Sequence, residues 1–231
     1  TIQPFISELF SGALREVVSG RLREILRTRG IPAREVTVVN QGSASSPGDE
    51  HFRVTVESTE AGLMPATMAV VSVLSEIHAK GVGPQEYKVA RNSVLNSFFK
   101  PQSNDALVRQ CISSYLYGAD LASPATKARF FSSRRMSPKS ETDLFNAYAS
   151  ALLAELDNCS VTWAGDPEQY DEWFWPVLFD SVWDGVALLD KPMYRWMSGQ
   201  CDTSALWSDK NKVKLKSIAS EPVSGGDMWT F

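Results

Sequence analysis

Histidine is nearly absent: the 231 residues hold only His51 and His78, far apart in the chain. A zinc site carried on one helix needs two histidines a turn apart with a glutamate placed to act as base. Neither histidine has a carboxylate at ligand spacing, so the chain builds no such centre by itself. Cysteine is as scarce. Cys111, Cys159 and Cys201 are odd in number and widely spaced, which argues against a disulfide framework and a metal-ligand pair. Each reads as a small buried apolar residue. There is no Gly-x-Ser-x-Gly elbow. There is no phosphate-cradling loop either, because Gly81-Val-Gly83 runs into Pro84, which lacks the N–H a phosphate wants. No apolar run approaches the ~20 residues of a membrane helix, so no membrane segment is expected.

Basic charge is also thin. The formal net charge is −4, and the nearest thing to a basic cluster is Arg21, Arg23, Arg27, Arg29 and Arg34. No aromatic residues interleave with these arginines, so no nucleic-acid partner is expected. They read as cations at a helix C-terminus, favoured by its dipole and solvating an outer face. The acidic group Asp166, Glu168, Asp171 and Glu172 looks metal-like but reads better as helix-start charges. Trp163, Trp173, Phe174 and Trp175 could line a small-molecule pocket, but their spacing suits core packing better.

What is present is amphipathic structure. Phe5, Ile6, Leu9, Ala13, Leu14, Val17, Val18, Leu22, Ile25 and Leu26 recur at helical spacing. Gly30 and Pro32 then close and block the helix. Strands follow at 35–40 and 51–58, the second alternating Phe52, Val54 and Val56 with polar residues. Gln41 to Asp49, rich in Gly, Ser and Pro, reads as the loop between them. Leu63, Thr67, Val70, Val71, Leu74 and Ile77 mark a second helix, and a third starts at Pro84.

Further helices are expected near Asn104, with Leu107, Val108, Cys111, Ile112 and Tyr115 facing inward, and after the cap Ser123-Pro124. Another begins at the capping box Ser140-Glu-Thr-Asp143. A strand at 159–164 leads to a helix from Pro167, with Trp173, Phe174, Val177, Leu178, Ser181 and Val182 on its buried stripe. From Trp183 to Trp207 the periodicity fails. Lys212 to Lys216 reads as an edge strand, and Glu221 to Gly226 as a linker. The chain opens in a helix and stops at Trp229-Thr-Phe231 in what reads as the start of a strand. Both ends read as cut, so a missing targeting segment carries no weight. The fold class is therefore α+β, a mainly antiparallel sheet covered by helices, with one domain over 1–185, an irregular extension holding the edge strand over 186–220, and a linker into a following repeat over 221–231.

Four stretches carry a family resemblance. They are Arg21-Leu-Arg-Glu-Ile-Leu-Arg27 with Gly30, then Glu50 to Ser58, then Leu74 to Ser93 with its Gly81-Val-Gly-Pro-Gln-Glu-Tyr-Lys-Val-Ala-Arg91 joint, and finally Asn158-Cys-Ser-Val-Thr-Trp-Ala-Gly-Asp166. In this order and spacing the chain resembles the non-metal-binding half-domain of insulinase/pitrilysin-type zinc metallopeptidases, over roughly residues 5 to 185. Their His-x-x-Glu-His motif is absent, so no catalytic or metal residue carries over. The resemblance implies no cofactor here and zinc in the full-length protein. It implies a partner, the catalytic half-domain of the same or another chain, and an extended peptide as substrate. It also implies an Arg and a Tyr near the first strand that hold substrate. Arg27 stands at the first place, within Leu26-Arg-Thr28. The second falls around Ala33 or Arg34, where this chain has no tyrosine. Arg27 and Arg34 are thus the candidate substrate-binding residues. The alternative is a catalytically dead scaffold or binding module of the same fold.

Overall fold

The computed structural model describes residues 4–43, 46–100, 102–117, 121–133, 137–154, 160–162, 164, 174–189, 219–223 and 226–230. They fall in two units, 1–196 and 197–231. The first unit starts with α1 (Pro4–Thr28). Its expected stripe is buried from Ile6 through Leu26, and Phe10 joins it. The helix ends in a Schellman motif: the Ile31 N–H donates to the Leu26 carbonyl at 2.9 Å and the Gly30 N–H to that of Arg27 at 3.2 Å. Gly30 takes the required positive φ of 64°.

β1 (Ala33–Ser43) and β2 (Ser46–Ser58) then form an antiparallel hairpin. Both strands run into the 41–49 segment expected to be loop. Backbone pairing carries them there, with Gln41 opposite His51 and Ser43 opposite Ser46, so Gly42, Ser43, Ser46 and Gly48 lie in the strands despite their turn-like residue types. Val36 lies opposite Val56 and Val38 opposite Val54, and these apolar pairs pack on the core.

After a 3₁₀ turn, α2 (Leu63–Lys80) runs through the middle of the unit. Its buried positions are Ala66, Ala69, Val71, Ser72, Val73, Ser75, Glu76 and Ile77, whereas the expected Leu63, Thr67, Val70 and Leu74 are half-buried. The helix has neighbours on several sides, among them α1 and β2, so a one-sided stripe does not describe it. Glu60–Lys80 is also, among the described residues, the one helical stretch long and apolar enough by composition to cross a membrane, which an uninterrupted-run criterion misses. Half of its most apolar 18 residues are buried inside the fold.

α3 (Pro84–Phe98) has Pro at its start as expected. α4 (Asn104–Tyr117) and α5 (Pro124–Ser133) follow. The Ser123 hydroxyl caps α5 by accepting the Thr126 N–H at 3.2 Å. α6 (Pro138–Leu153) begins earlier than the box at Ser140. Its cap is Ser137, which accepts the Ser140 N–H at 3.1 Å, because Pro138 suits the first helical position. α7 (Phe174–Ala187) buries Trp175, Trp183 and Val186, not Val177 or Ser181, which are exposed. It also continues past Trp183. The α2 hydroxyl of Ser75 donates to the Trp183 carbonyl at 2.6 Å, which helps fix the face α7 buries.

Two further expectations fail. Residues 160–162 and 164, placed in a third strand, are exposed and outside any strand; the rest of 159–164 lies outside the described residues. The sheet of the first unit is therefore two-stranded among the described residues. The expected inner face of α4 points outward: Leu107, Val108, Ile112 and Tyr115 are exposed, and so is Cys111. In the second unit, β3 (Ala219–Val223) and β4 (Gly226–Thr230) pair antiparallel, Val223 opposite Gly226. The stretch expected to be a linker, 221–226, thus begins within β3 and ends at the first residue of β4. The edge strand at 212–216 lies outside the described residues.

Candidate functional site

Arg21, Glu76 and Glu86 meet where α1, α2 and α3 converge. The guanidinium grips Glu86 side-on, Nε to Oε1 at 2.9 Å and Nη2 to Oε2 at 2.8 Å. Nη1 reaches Glu76 Oε2 at 3.3 Å and Nη2 the Gly81 carbonyl at 3.4 Å. All three side chains are 6% exposed or less. Removing them from water is costly, and the bidentate geometry offsets that cost. Arg21 belongs to the first resembling stretch and Glu86 to the Gly81–Arg91 joint, so the fold brings two of those stretches into one ion cluster. Arg21 is thereby not the solvated helix-end charge expected of it.

The joint is held from a second side. The Asn146 side chain on α6 accepts the Val82 N–H at 2.9 Å and donates to the Val82 carbonyl at 3.1 Å. Nearer the start of α6, Glu141 Oε1 accepts from Arg91 Nε at 2.6 Å and from the Tyr87 hydroxyl at 2.8 Å. Burial pushes the Tyr87 hydroxyl far above the ordinary phenol pKa, and the Glu141 carboxylate adds to it. The Tyr87 ring lies 4.6 Å from that of Phe145. These groups are consumed by packing and by one another, and among the described residues no buried side-chain nitrogen or oxygen lacks a partner.

The two candidate substrate residues sit elsewhere, on either side of the Gly30 turn. Arg27 is 74% exposed and pairs with Glu24 one turn back, Nη2 to Oε1 at 2.8 Å. Its hydrogen bond holds the Glu24 carboxyl below the usual range, and Glu24 raises Arg27 in return. Arg34 is exposed and falls between the Ala33–Ser58 and Glu35–Glu57 pairs, as the extra residue of a bulge. Such bulges re-aim side chains at sheet edges. Arg23 was read as a solvated cation, but its Nη2 donates to the Val36 carbonyl at 3.3 Å, tying α1 to β1.

The histidines lie apart, His51 on β2 and His78 on α2. His78 Nδ1 is 3.1 Å from the Ser150 carbonyl, and its ring lies 5.5 Å from that of Trp183. Among the described residues no three His, Cys, Asp or Glu side chains group as metal ligands would. The described donor set therefore does not fit a zinc ion. Asp166, Glu168, Asp171, Glu172, Trp163, Trp173, Cys159 and Cys201 lie outside the described residues. A cleft of about 230 Å³ is bordered by Glu8, Phe98, Lys100 and Lys127, but Lys127 is committed to Glu8 at 2.6 Å.

No family model matches the chain, and no curated protein is similar to it. Two solved structures share its fold. One is a protein from Yersinia pestis described as a predicted insulinase family protease, with TM-score 0.53 and 15% identity, covering 79% of this chain and 39% of that one. The other is the first half of the periplasmic protease PqqL from Escherichia coli, with TM-score 0.55 and 13% identity, covering 84% of this chain and 42% of that one. The chain spans about two fifths of the length of each. At these identities the likeness is one of fold: an α+β domain built like part of an insulinase-type protease.

Proposed function

We propose that this chain is the non-metal-binding domain of an insulinase-type zinc metallopeptidase, which encloses and holds extended peptide while another domain supplies the zinc and the chemistry. The observation that carries this reading is the shared fold over 79% and 84% of the chain. A sequence with two histidines, on separate elements, has no His-x-x-Glu-His of its own.

In this reading the β1–β2 hairpin is the wall that meets peptide. Each strand has one edge unpaired by any described strand, and such an edge binds extended backbone with little regard for side chains. Arg23 already occupies the Val36 carbonyl on β1, which leaves β2 as the freer edge. Arg34, at the bulge opposite the end of β2, is the cation for an acidic side chain or a C-terminal carboxylate, and Arg27 assists it.

The test is Arg27→Ala with Arg34→Ala in the full-length protein. We expect KM for an acidic peptide to rise with kcat little changed. An unchanged KM in a folded variant rejects the substrate-wall role. The pairing of Arg27 with Glu24 favours a second reading, an architectural domain without substrate contacts. A full-length gene with no His-x-x-Glu-His would decide for that scaffold.

A further inference from the structure

The stripe that periodicity marks on α4 has no seat among the described residues of the first unit. Gln110 and Ser114, one turn apart, are half-buried, alone among the helix positions whose burial is described. Leu107, Val108, Ile112, Tyr115 and Leu116 are exposed, Tyr115 by 89%, and Cys111 is exposed among them. Spacings of one, three and four residues put these side chains on one face. Among the described residues, no other helix or strand packs along α4 by more than isolated contacts. A contiguous apolar patch of this kind marks an interaction site.

Its size narrows the occupant. Tyr115 alone, 89% exposed, presents about 200 Å² of accessible surface, and with its aliphatic neighbours the face comes to several hundred Å². A stable complex of free partners needs ~800 Å² on each side. The stripe alone is thus too small to hold a freely diffusing second copy. A tethered domain, present at millimolar effective concentration, needs far less contact. Both solved structures of this fold are more than twice as long as the part this chain matches.

We propose that the apolar face of α4 is the seat of the companion peptidase-like domain in the same polypeptide, which covers Leu107, Val108, Cys111, Ile112 and Tyr115 with an uncharged surface. This rests on reading the chain as one domain of a multidomain peptidase.

Cys111 reports the contact directly. Its alkylation by N-ethylmaleimide is followed by peptide mass spectrometry in the 231-residue chain and in the full-length polypeptide. We expect labelling at least about tenfold slower in the full-length protein, as for a site that reacts only on local opening. Ile112→Asp in the full-length protein should restore the fast rate, while the same change leaves the melting of the 231-residue chain unaltered. Equal labelling of Cys111 in both proteins overturns the proposal, as does a gene that encodes no second domain. Protection that instead grows with concentration of the 231-residue chain, together with a dimer mass, assigns the face to a second copy and also overturns it. The peptide KM of the Arg27→Ala, Arg34→Ala variant is a separate readout. Unchanged KM with a protected Cys111 removes the substrate-wall role and leaves the docking face standing.

Discussion

Replacing Arg21 with methionine tests whether the ion cluster sits in a water-excluded core. The change keeps much of the stem and removes the guanidinium. Glu86 then loses two charge-assisted hydrogen bonds, at 2.9 and 2.8 Å, and Glu76 loses one at 3.3 Å. Both carboxylates stay where they are, 6% exposed or less. Breaking a buried pair from one side costs about 3–5 kcal/mol, because a charge is left behind without its counterion. That is a large part of the ~5–15 kcal/mol that holds a domain folded. For a unit of this size each kcal/mol is worth about 2–4 °C in Tm, so melting should fall by about 6–20 °C. Urea unfolding followed by far-UV circular dichroism gives the free energy directly. Replacing all three residues together, Arg21→Met with Glu76→Leu and Glu86→Leu, should recover most of the loss, since no charge then remains to be buried. Arg21→Lys should recover little, because an ammonium cannot make the two-pronged contact. An Arg21→Met protein that melts within about 1 °C of the wild type would refute the reasoning: the carboxylates would then have to be solvated.

Further changes probe the same joint. Tyr87 has a raised folded-state pKa, so its contribution is fully present below its unfolded pKa of about 10 and is lost as pH climbs above it. Wild type should therefore lose about 1.4 kcal/mol per pH unit more than Tyr87→Phe above about pH 10, and parallel urea midpoints for the two proteins between pH 10 and 11 would reject this. Asn146→Ala strips the Val82 N–H and carbonyl of their partner and should cost about 1–3 kcal/mol by urea unfolding. Gly81→Ala meets both a φ of +71° and an Asn146 side chain 2.8 Å from the new Cβ. It should cost at least about 1 kcal/mol, whereas Gly20→Ala, inside α1 with nothing within 4 Å, should be neutral or stabilising by up to about 1 kcal/mol.

What could be read in the sequence depended on how many sides of an element are covered. α1 is buried along one stripe, and the spacing from Ile6 to Leu26 marks that stripe almost residue for residue. α2 is surrounded, so its apolar spacing says helix without saying which side matters. Its buried Ser75 and Glu76 bond Trp183 and Arg21, partners 108 and 55 residues away, which no local spacing reveals. Arg21 shows the same difficulty. Five arginines near a helix end look alike in sequence, and only a glutamate 65 residues on separates the buried one from the exposed Arg27 and Arg34. The 221–226 stretch differs for another reason: Pro222 and Gly226, whose residue types suit a tether, are paired across β3 and β4. α4 is the instructive case. Its periodicity correctly gave a helix with one apolar face, but an apolar stripe states only that something covers it. Within the described residues that cover is missing, while Gln110 and Ser114 take the inward positions. The mismatch between an apolar pattern and an exposed face therefore bears more on function than the agreement at α1, because burial inside a domain already explains α1 and no described residue covers the face of α4.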